Sequence, residues 1–185
     1  TTNSIIPPGT SWQEELNKIS AKYLFIGTMI AIVLNPLFGI VDYITMHDHW
    51  QHFMVIRVIV TLVLLGCILQ KSFLQNSPHV AGFFVLFSIT TQDAYFYSLA
   101  TPEIIEALSL SYMADFVGAG MVLLWNPLMA VAFLIVFITV NLLFFAQNSA
   151  MPADEFLSSG GLLVLAGAVF GMAMIVFRYQ SVKTM

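Results

Sequence analysis

The sequence predicts an all-α, polytopic membrane protein with six transmembrane helices and both termini on the cytoplasmic side. Of its 185 residues, 59% are hydrophobic and only 9% are charged, whereas soluble domains carry about 25% charged residues. The apolar residues fall into six segments, each near the length of about 20 residues that crosses a bilayer. The cations collect at one end of a six-helix arrangement, which predicts its orientation.

Residues 1–22 are predicted to form a short amphipathic lead-in helix at the cytoplasmic surface. Ser11 and Glu14 have the spacing of a capping box, in which each side chain binds a free backbone N–H at a helix start. Trp12, Leu16 and Ile19 then recur at helical spacing. A helix with one apolar and one polar face lies in the plane of the membrane interface.

The six-helix transmembrane domain is predicted to cover residues 23–177. Its segments are 23–44, 52–69, 80–99, 108–125, 128–146 and 157–177. The Trp125-Asn126-Pro127 junction leaves room only for a tight turn between the fourth and fifth helices. Trp125 is expected in the aromatic belt at the cytoplasmic face.

The distribution of charge predicts a multi-pass protein of the inner (plasma) membrane. Lysine and arginine concentrate in cytoplasmic loops. Five cations share one end of the six-helix arrangement: Lys18, Lys22, Lys71, Arg178 and Lys183. The opposite loops contain acids and no lysine or arginine: Asp48, Glu103, Glu106, Asp154 and Glu155.

Helix six is predicted to continue out of the membrane. Residues 178–185 contain no Gly or Pro, so we expect them to begin a signalling helix that leads to a cytoplasmic effector. Gly167 and Gly171 form a Gly-x-x-x-Gly step, which allows close helix approach. That step predicts either packing within one bundle or a homodimer contact.

Ionisable residues inside the membrane are costly and mark candidate functional sites. Polar and aromatic residues on the first four helices are predicted to converge on one pocket in the outer leaflet. The candidate ligand-binding residues are Asp42, Tyr43, Trp50, Phe53, Arg57, Thr90, Asp93, Tyr97, Tyr112 and Asp115. The alternative is that Arg57 only pairs with one acid and locks the bundle. Three acids facing one arginine favour the pocket.

Three histidines, His47, His49 and His52, crowd the turn between the first two helices. Their His-x-His-x-x-His spacing suits a metal ion, although a solvated histidine cluster is the more ordinary interpretation. A b-type haem is a separate alternative, because it needs axial ligands on facing helices. His52 would be one ligand, and His47, His49, Met54 or Met113 the other.

The run Asn35-Pro36, Asp42-Tyr43, Trp50 and Ile56-Arg57 resembles the membrane domains of quorum-sensing alpha-hydroxyketone receptor histidine kinases. The six-helix plan also resembles the membrane anchors of class III adenylate cyclases. These resemblances imply that the pocket receives a lipophilic signal, which helix six relays to a dimeric effector. Only Pro36, Asp42, Tyr43 and Arg57 carry over, because the stretch Met46-His47-Asp48-His49 departs from the receptor-kinase pattern.

The favoured prediction is therefore the sensor and anchor domain of a signalling enzyme, foremost a class III adenylate cyclase. The chain itself is not expected to be an enzyme, because it has no nucleophile-base pairing and no Gly-rich phosphate loop. The alternatives are a haem-binding, cytochrome-like redox or gas sensor and a histidine kinase membrane domain. The expected partners are the lipid bilayer, a lipophilic ligand and a second copy of the chain, and no nucleic acid.

Overall fold

The computed structural model describes residues 12–149 and 151–184, nearly all of them helical and none of them in a strand. The elements follow in chain order: α1 Trp12–Thr45, α2 Trp50–Leu69, α3 Lys71–Asn76, α4 Pro78–Ser98, α5 Pro102–Val122, α6 Pro127–Asn148, α7 Ala153–Phe156, a π-helical turn Leu157–Gly161 and α8 Leu162–Thr184.

Five stretches are long and apolar enough to cross a membrane: α1, α2, Ile104–Val122 within α5, α6, and Ala153–Lys183, which includes α8. The chain is therefore an all-helical protein with the features of a polytopic membrane protein. Helix α4 has 21 residues but falls outside this group, because Gln92 and Asp93 lower its hydropathy. Helix α4 can contain these two polar residues because it packs against α1, α2, α5 and α6 and is the most enclosed of the long helices.

The predicted lead-in is not a separate helix. Helix α1 runs without a break for 34 residues, about 50 Å at the helical rise, because no Gly or Pro stands between Trp12 and Tyr23. Leu16 and Leu24 on its buried face are both less than 3% exposed. Ser11, and with it the predicted capping box, lies outside the described residues.

The long helices alternate in direction along the chain. The rings of Trp12 and Tyr179 meet edge to face at 6.0 Å between centroids, so the two ends of the described chain lie at one face of the bundle. We call this the proximal face; it also holds α3 and the 123–126 link. The distal face holds the turns 46–49 and 99–101.

The Gly-x-x-x-Gly step of helix six packs inside the bundle. Gly167 lies against Met113 of α5, and a Cβ added at Gly171 would stand 2.5 Å from the carbonyl oxygen of Phe116. The pairing of α5 with α8 is the most extensive in the fold. Of the two predicted uses of these glycines, the structure has the packing within one bundle, and this face of α8 has no room for a second copy.

The prediction for Trp125 was wrong. Its side chain is only 1% exposed, and its ring lies 6.1 Å from that of Phe83 and 5.4 Å from that of Phe133. Helix α5 ends at Val122, three residues earlier than predicted, so the link turns inward against α4 instead of reaching the interface. Asn126 then begins α6 by accepting a hydrogen bond from the backbone N–H of Met129 at 2.9 Å.

Candidate functional site: a polar network beside an apolar cavity

Arg57 of α2 and Asp42 of α1 form a buried, bidentate ion pair. The guanidinium donates from Nε to Oδ2 of Asp42 at 2.6 Å and from Nη2 to Oδ1 at 3.0 Å. The two side chains are 7% and 2% exposed. Two parallel charge-assisted hydrogen bonds fix both distance and orientation, so the pair ties the distal ends of α1 and α2 together.

Asn35 and Gln92 extend this network to α4. Each amide donates to the other's oxygen, at 3.1 and 2.9 Å. Asn35 also accepts from Arg57 Nη1 at 3.0 Å and donates to the Arg57 carbonyl oxygen at 3.0 Å. A buried polar network stabilises a fold when all its members have partners, and here α1, α2 and α4 share one. We call these four residues, Asn35, Asp42, Arg57 and Gln92, the Arg57 network.

Aromatic rings close one side of the Arg57 network. The guanidinium carbon lies 5.0 Å from the ring centroid of Phe96 and 5.8 Å from that of Phe38, both within the range of a cation–π contact. Phe53 stacks on Phe96 at 4.0 Å and is fully buried. Phe53, a predicted ligand contact, therefore supports the ring that covers Arg57.

Asp93 of α4 and Asp115 of α5 lie close to each other on the other side, and both face the same cavity. Gln92 Nε2 also donates to Asp93 at 3.4 Å. Among the described residues, neither acid lies within ion-pair distance of a lysine or arginine. This carboxyl pair therefore has no direct counterion among the described residues.

The carboxyl pair forms part of the wall of a cavity of about 430 Å³ between α1, α4 and α5. Asn35, Arg57 and Ser111 complete the polar end. Apart from Thr28, whose hydroxyl donates to the Leu24 carbonyl oxygen, the rest of the lining is apolar and runs to Leu24 on α1 and Leu123 after α5. The cavity volume lies in the usual range for small-molecule sites. A mostly apolar cavity with a few polar groups at one end suits an elongated amphiphile.

The cavity extends farther toward the proximal face than the predicted pocket. Asp93 is five residues from the distal end of α4, about 8 Å by helical rise. Asp115 is thirteen residues from the distal end of α5, about 20 Å, because α5 begins at Pro102 and not near residue 108. From the carboxyl pair the cavity extends toward the proximal face.

Thr90, Tyr97 and Tyr112 form hydrogen-bonded ties outside the cavity lining. The Tyr112 hydroxyl donates to the Thr90 carbonyl oxygen at 2.8 Å and accepts from Asn141 Nδ2 at 3.0 Å. The hydroxyls of Tyr97 and Ser109 are 2.8 Å apart. These predicted ligand contacts join α5 to α4 and to α6.

Tyr43 and Trp50 lie beyond the Arg57 network, at the distal turn. Their rings meet edge to face at 5.3 Å, and Tyr43 contacts the ring of His47 at 5.1 Å. Neither residue lines the cavity. Of the ten predicted ligand-binding residues, only Arg57, Asp93 and Asp115 do.

The three histidines do not converge. His52 Nε2 is 2.9 Å from the hydroxyl of Tyr95, His49 stacks on Phe53 and His47 faces Tyr43. Within residues 12–149 and 151–184, no three His, Cys, Asp or Glu side chains form a group that would hold a metal ion. A haem iron on His52 Nε2 would have to displace Tyr95, so haem binding stays a prediction for spectroscopy.

The sequence prediction missed most of the cavity. Its apolar wall consists largely of small or aliphatic side chains on α1, α4 and α5, among them Gly82, Ala114, Gly118 and Ala119. The only signal was Gly118 with Gly120, which leaves a thin stretch on α5. Gln92, which lies between Asn35 and Asp93, was also missed, although it adjoins a predicted site residue.

Comparison with known proteins finds no family model, no curated protein and no solved structure that matches this chain. The resemblance to receptor kinases and cyclase anchors therefore rests on the short motifs around Asn35, Asp42 and Arg57.

Proposed function

We propose that the chain is a membrane-embedded sensor and anchor domain that binds a small lipophilic ligand in the cavity between α1, α4 and α5. The observation that carries the proposal is the cavity itself, apolar along most of its length and polar at one end. The ligand has a hydrogen-bond-donating group, a hydroxyl or a protonated amine, at Asp93 and Asp115. Its apolar chain extends toward Leu123.

The path from ligand to output runs through α5. One face of α5 lines the cavity with Asp115, Gly118 and Val122. Its other face packs on α8, where Phe116 and Gly120 lie close to Gly171. Arg178 of α8 also donates to the Gly120 carbonyl oxygen at 3.2 Å. A ligand that displaces α5 therefore moves α8, since a tightly packed pair of helices shifts together.

The effector is proposed on the resemblance. Class III adenylate cyclases connect a six-helix anchor to a catalytic domain through the last helix, and α8 is the corresponding helix here. A dimeric effector would bring two copies together by faces of α8 other than the one on α5. A histidine kinase is the other effector that the resemblance allows.

The orientation follows from the cations. Lys18, Lys71 and Lys183 belong to elements of the proximal face, so we assign this face to the cytoplasm and count α4 as the sixth span. An impermeant maleimide tests the assignment on intact cells carrying a Cys67→Ser background. Asp48→Cys on the distal turn should react, and Ser72→Cys on α3 should react only after lysis. The reverse labelling pattern would overturn the orientation.

The ligand site is tested with Trp125, which lies against Gly82 at the inner end of the cavity. The probe is decyl alcohol brominated at its terminal carbon, because the step from Asp115 to Leu123 is eight residues, about 12 Å. In a protein whose Trp12 and Trp50 are replaced by Phe, the bromine should quench Trp125 fluorescence saturably.

Two glycines provide a matched control. A Cβ added at Gly118 or at Gly66 meets no atom within 4 Å, so both sites accept a larger side chain, but only Gly118 lines the cavity. Gly118→Leu should abolish saturable quenching and Gly66→Leu should leave it intact. Equal quenching in both variants would mean that the probe acts from the surrounding detergent, and the ligand site would be refuted.

A further inference from the structure

A second groove lies at the proximal face, between the first turns of α1 and the short helix α3. It is distinct from the ligand cavity and shares no lining residue with it. Three of the six cations of the chain line it: Lys18, Lys22 and Lys71. The function proposed above does not use this groove.

Both walls of the groove change from charged to apolar at the same level. On α1, Lys18 and Lys22 are followed one turn later by Phe25 and Ile26. On the other wall Ile68, near the end of α2, precedes Lys71 by three residues. The groove is therefore cationic toward the proximal end and apolar toward the bundle, over about 12 Å of α1.

This gradient matches the cross-section of one leaflet, in which phosphate groups lie outside the acyl chains. Phe25 and Ile26 are 43% and 46% exposed, as expected for side chains that contact acyl chains. Asn17, Gln75 and Asn76 add neutral hydrogen-bonding groups beside the lysines, where glycerol or headgroup hydroxyls would lie.

The charge of the groove selects an anion. Lys18 pairs with Glu15 at 3.0 Å, and Glu14 also lines the groove. Lys22 and Lys71 form no ion pair with an acid among the described residues. The positive charge that remains available to a ligand thus comes mainly from these two lysines, which stand on opposite walls.

We propose that this groove is a binding site for an anionic glycerophospholipid of the surrounding bilayer. The phosphate lies between Lys22 and Lys71, and an acyl chain follows Phe25, Ile26 and Ile68. Such a lipid would brace α3 against α1, and so fix the proximal end of the helix that lines the ligand cavity.

Native mass spectrometry of the detergent-solubilised chain tests the site with dioleoyl phosphatidylglycerol and dioleoyl phosphatidylcholine. Wild-type protein should prefer phosphatidylglycerol, and Lys22→Gln and Lys71→Gln should each lower that preference about fivefold, because one lysine near an anionic surface contributes about this factor. The control is Lys183→Gln, a proximal lysine outside the groove, which should change the preference less than about twofold.

Several results would overturn the proposal. They are equal binding of the two lipids, an equal loss in all three lysine variants, or displacement of phosphatidylglycerol by millimolar inorganic phosphate, which would indicate a site for a soluble anion. Ile26→Gln tests the apolar wall and should weaken the binding of both lipids to the same extent. Because Lys22 and Lys71 are exposed, their variants should fold with unchanged helix content. If Lys22→Gln fails to fold, Lys71→Gln alone is enough to test the site.

Discussion

The Arg57 network and the carboxyl pair lie side by side, yet their polar groups are satisfied in different ways. In the Arg57 network each side chain bonds to another member, and a guanidinium faces a carboxylate at 2.6 Å. In the carboxyl pair, Asp93 and Asp115 have each other and an apolar cavity. The comparison teaches that polar residues at neighbouring depths in a membrane bundle serve two purposes. One group holds helices together, and the other lines the cavity in which we propose that the ligand binds.

Their neighbours differ in the same way. On the side of Arg57 away from the cavity, the large rings of Phe53 and Phe96 stack closely and leave no space. Beside Asp115 the residues are small, with Ala114 and Gly118 on α5, and both are exposed, so a cleft stays open between α1 and α5. The size of the neighbouring side chains therefore differs between the two acids: Asp42 lies in a closely packed region, and Asp115 faces a cavity.

The largest expected effect is the loss of Arg57. Arg57→Met leaves Asp42 buried without its cation, which costs about 3–5 kcal/mol in comparable buried pairs. The protein should therefore melt many degrees lower in detergent, as measured by circular dichroism. The double variant Arg57→Met, Asp42→Leu should regain most of the stability that the single variant loses, because an apolar pair needs no counterion. A double variant as unstable as the single one would show that the ion pair is not what holds α1 to α2.

The next effect concerns the packing of α5 on α8. In Gly171→Leu the new side chain meets the Phe116 carbonyl oxygen, and overpacking of this kind costs about 1–3 kcal/mol or more. Gly118→Leu, which enters the cavity, should cost little. Thermal unfolding compares Gly171→Leu, which adds a side chain at the α5–α8 contact, with Gly118→Leu, which adds one at the cavity. Equal stability would mean that α5 and α8 are loosely packed and cannot relay a displacement.

A smaller effect separates charge from hydrogen bonding at the carboxyl pair. Asp115→Asn keeps a similar shape and replaces one of the two carboxyl groups by an amide. Its affinity for decylamine should fall about tenfold, in keeping with the strength of hydrogen bonds to charged groups. Its affinity for decyl alcohol should change little. Equilibrium dialysis measures both, and an equal loss for the two probes would place the polar group of the ligand elsewhere.

The smallest effect is expected at His52. His52→Phe removes one hydrogen bond to Tyr95 in a partly exposed position, which costs about 1 kcal/mol or less. The absorption spectrum between 350 and 600 nm, before and after dithionite, should be the same for this variant and the wild type. A Soret band in the wild type that His52→Phe removes would instead establish the haem alternative.

The sequence predicted the helical class and the participants of the polar layer, because hydropathy and intramembrane charge depend on residue type alone. The pairing of Arg57 with one acid was already one of its two interpretations, although the sequence did not indicate which acid. The start of α5 was predicted about six residues too late, although Thr101 followed by Pro102 is a usual helix start. The enclosed position of Trp125 and the cavity had no sequence signal of that kind, since both depend on how α1, α4 and α5 pack.

The central claim is that Asp42 stabilises and Asp115 receives a ligand, and one thermal-unfolding titration with decylamine compares them directly. Asp42→Asn and Asp115→Asn make the same chemical change in two helices. Asp42→Asn should melt well below the wild type, because Arg57 loses its counterion, and should still gain stability from decylamine. Asp115→Asn should melt near the wild type and gain clearly less stability from decylamine, because its affinity is about tenfold lower. If decylamine stabilises both variants equally, the cavity does not bind it through Asp115, and the distinction between the two polar regions fails.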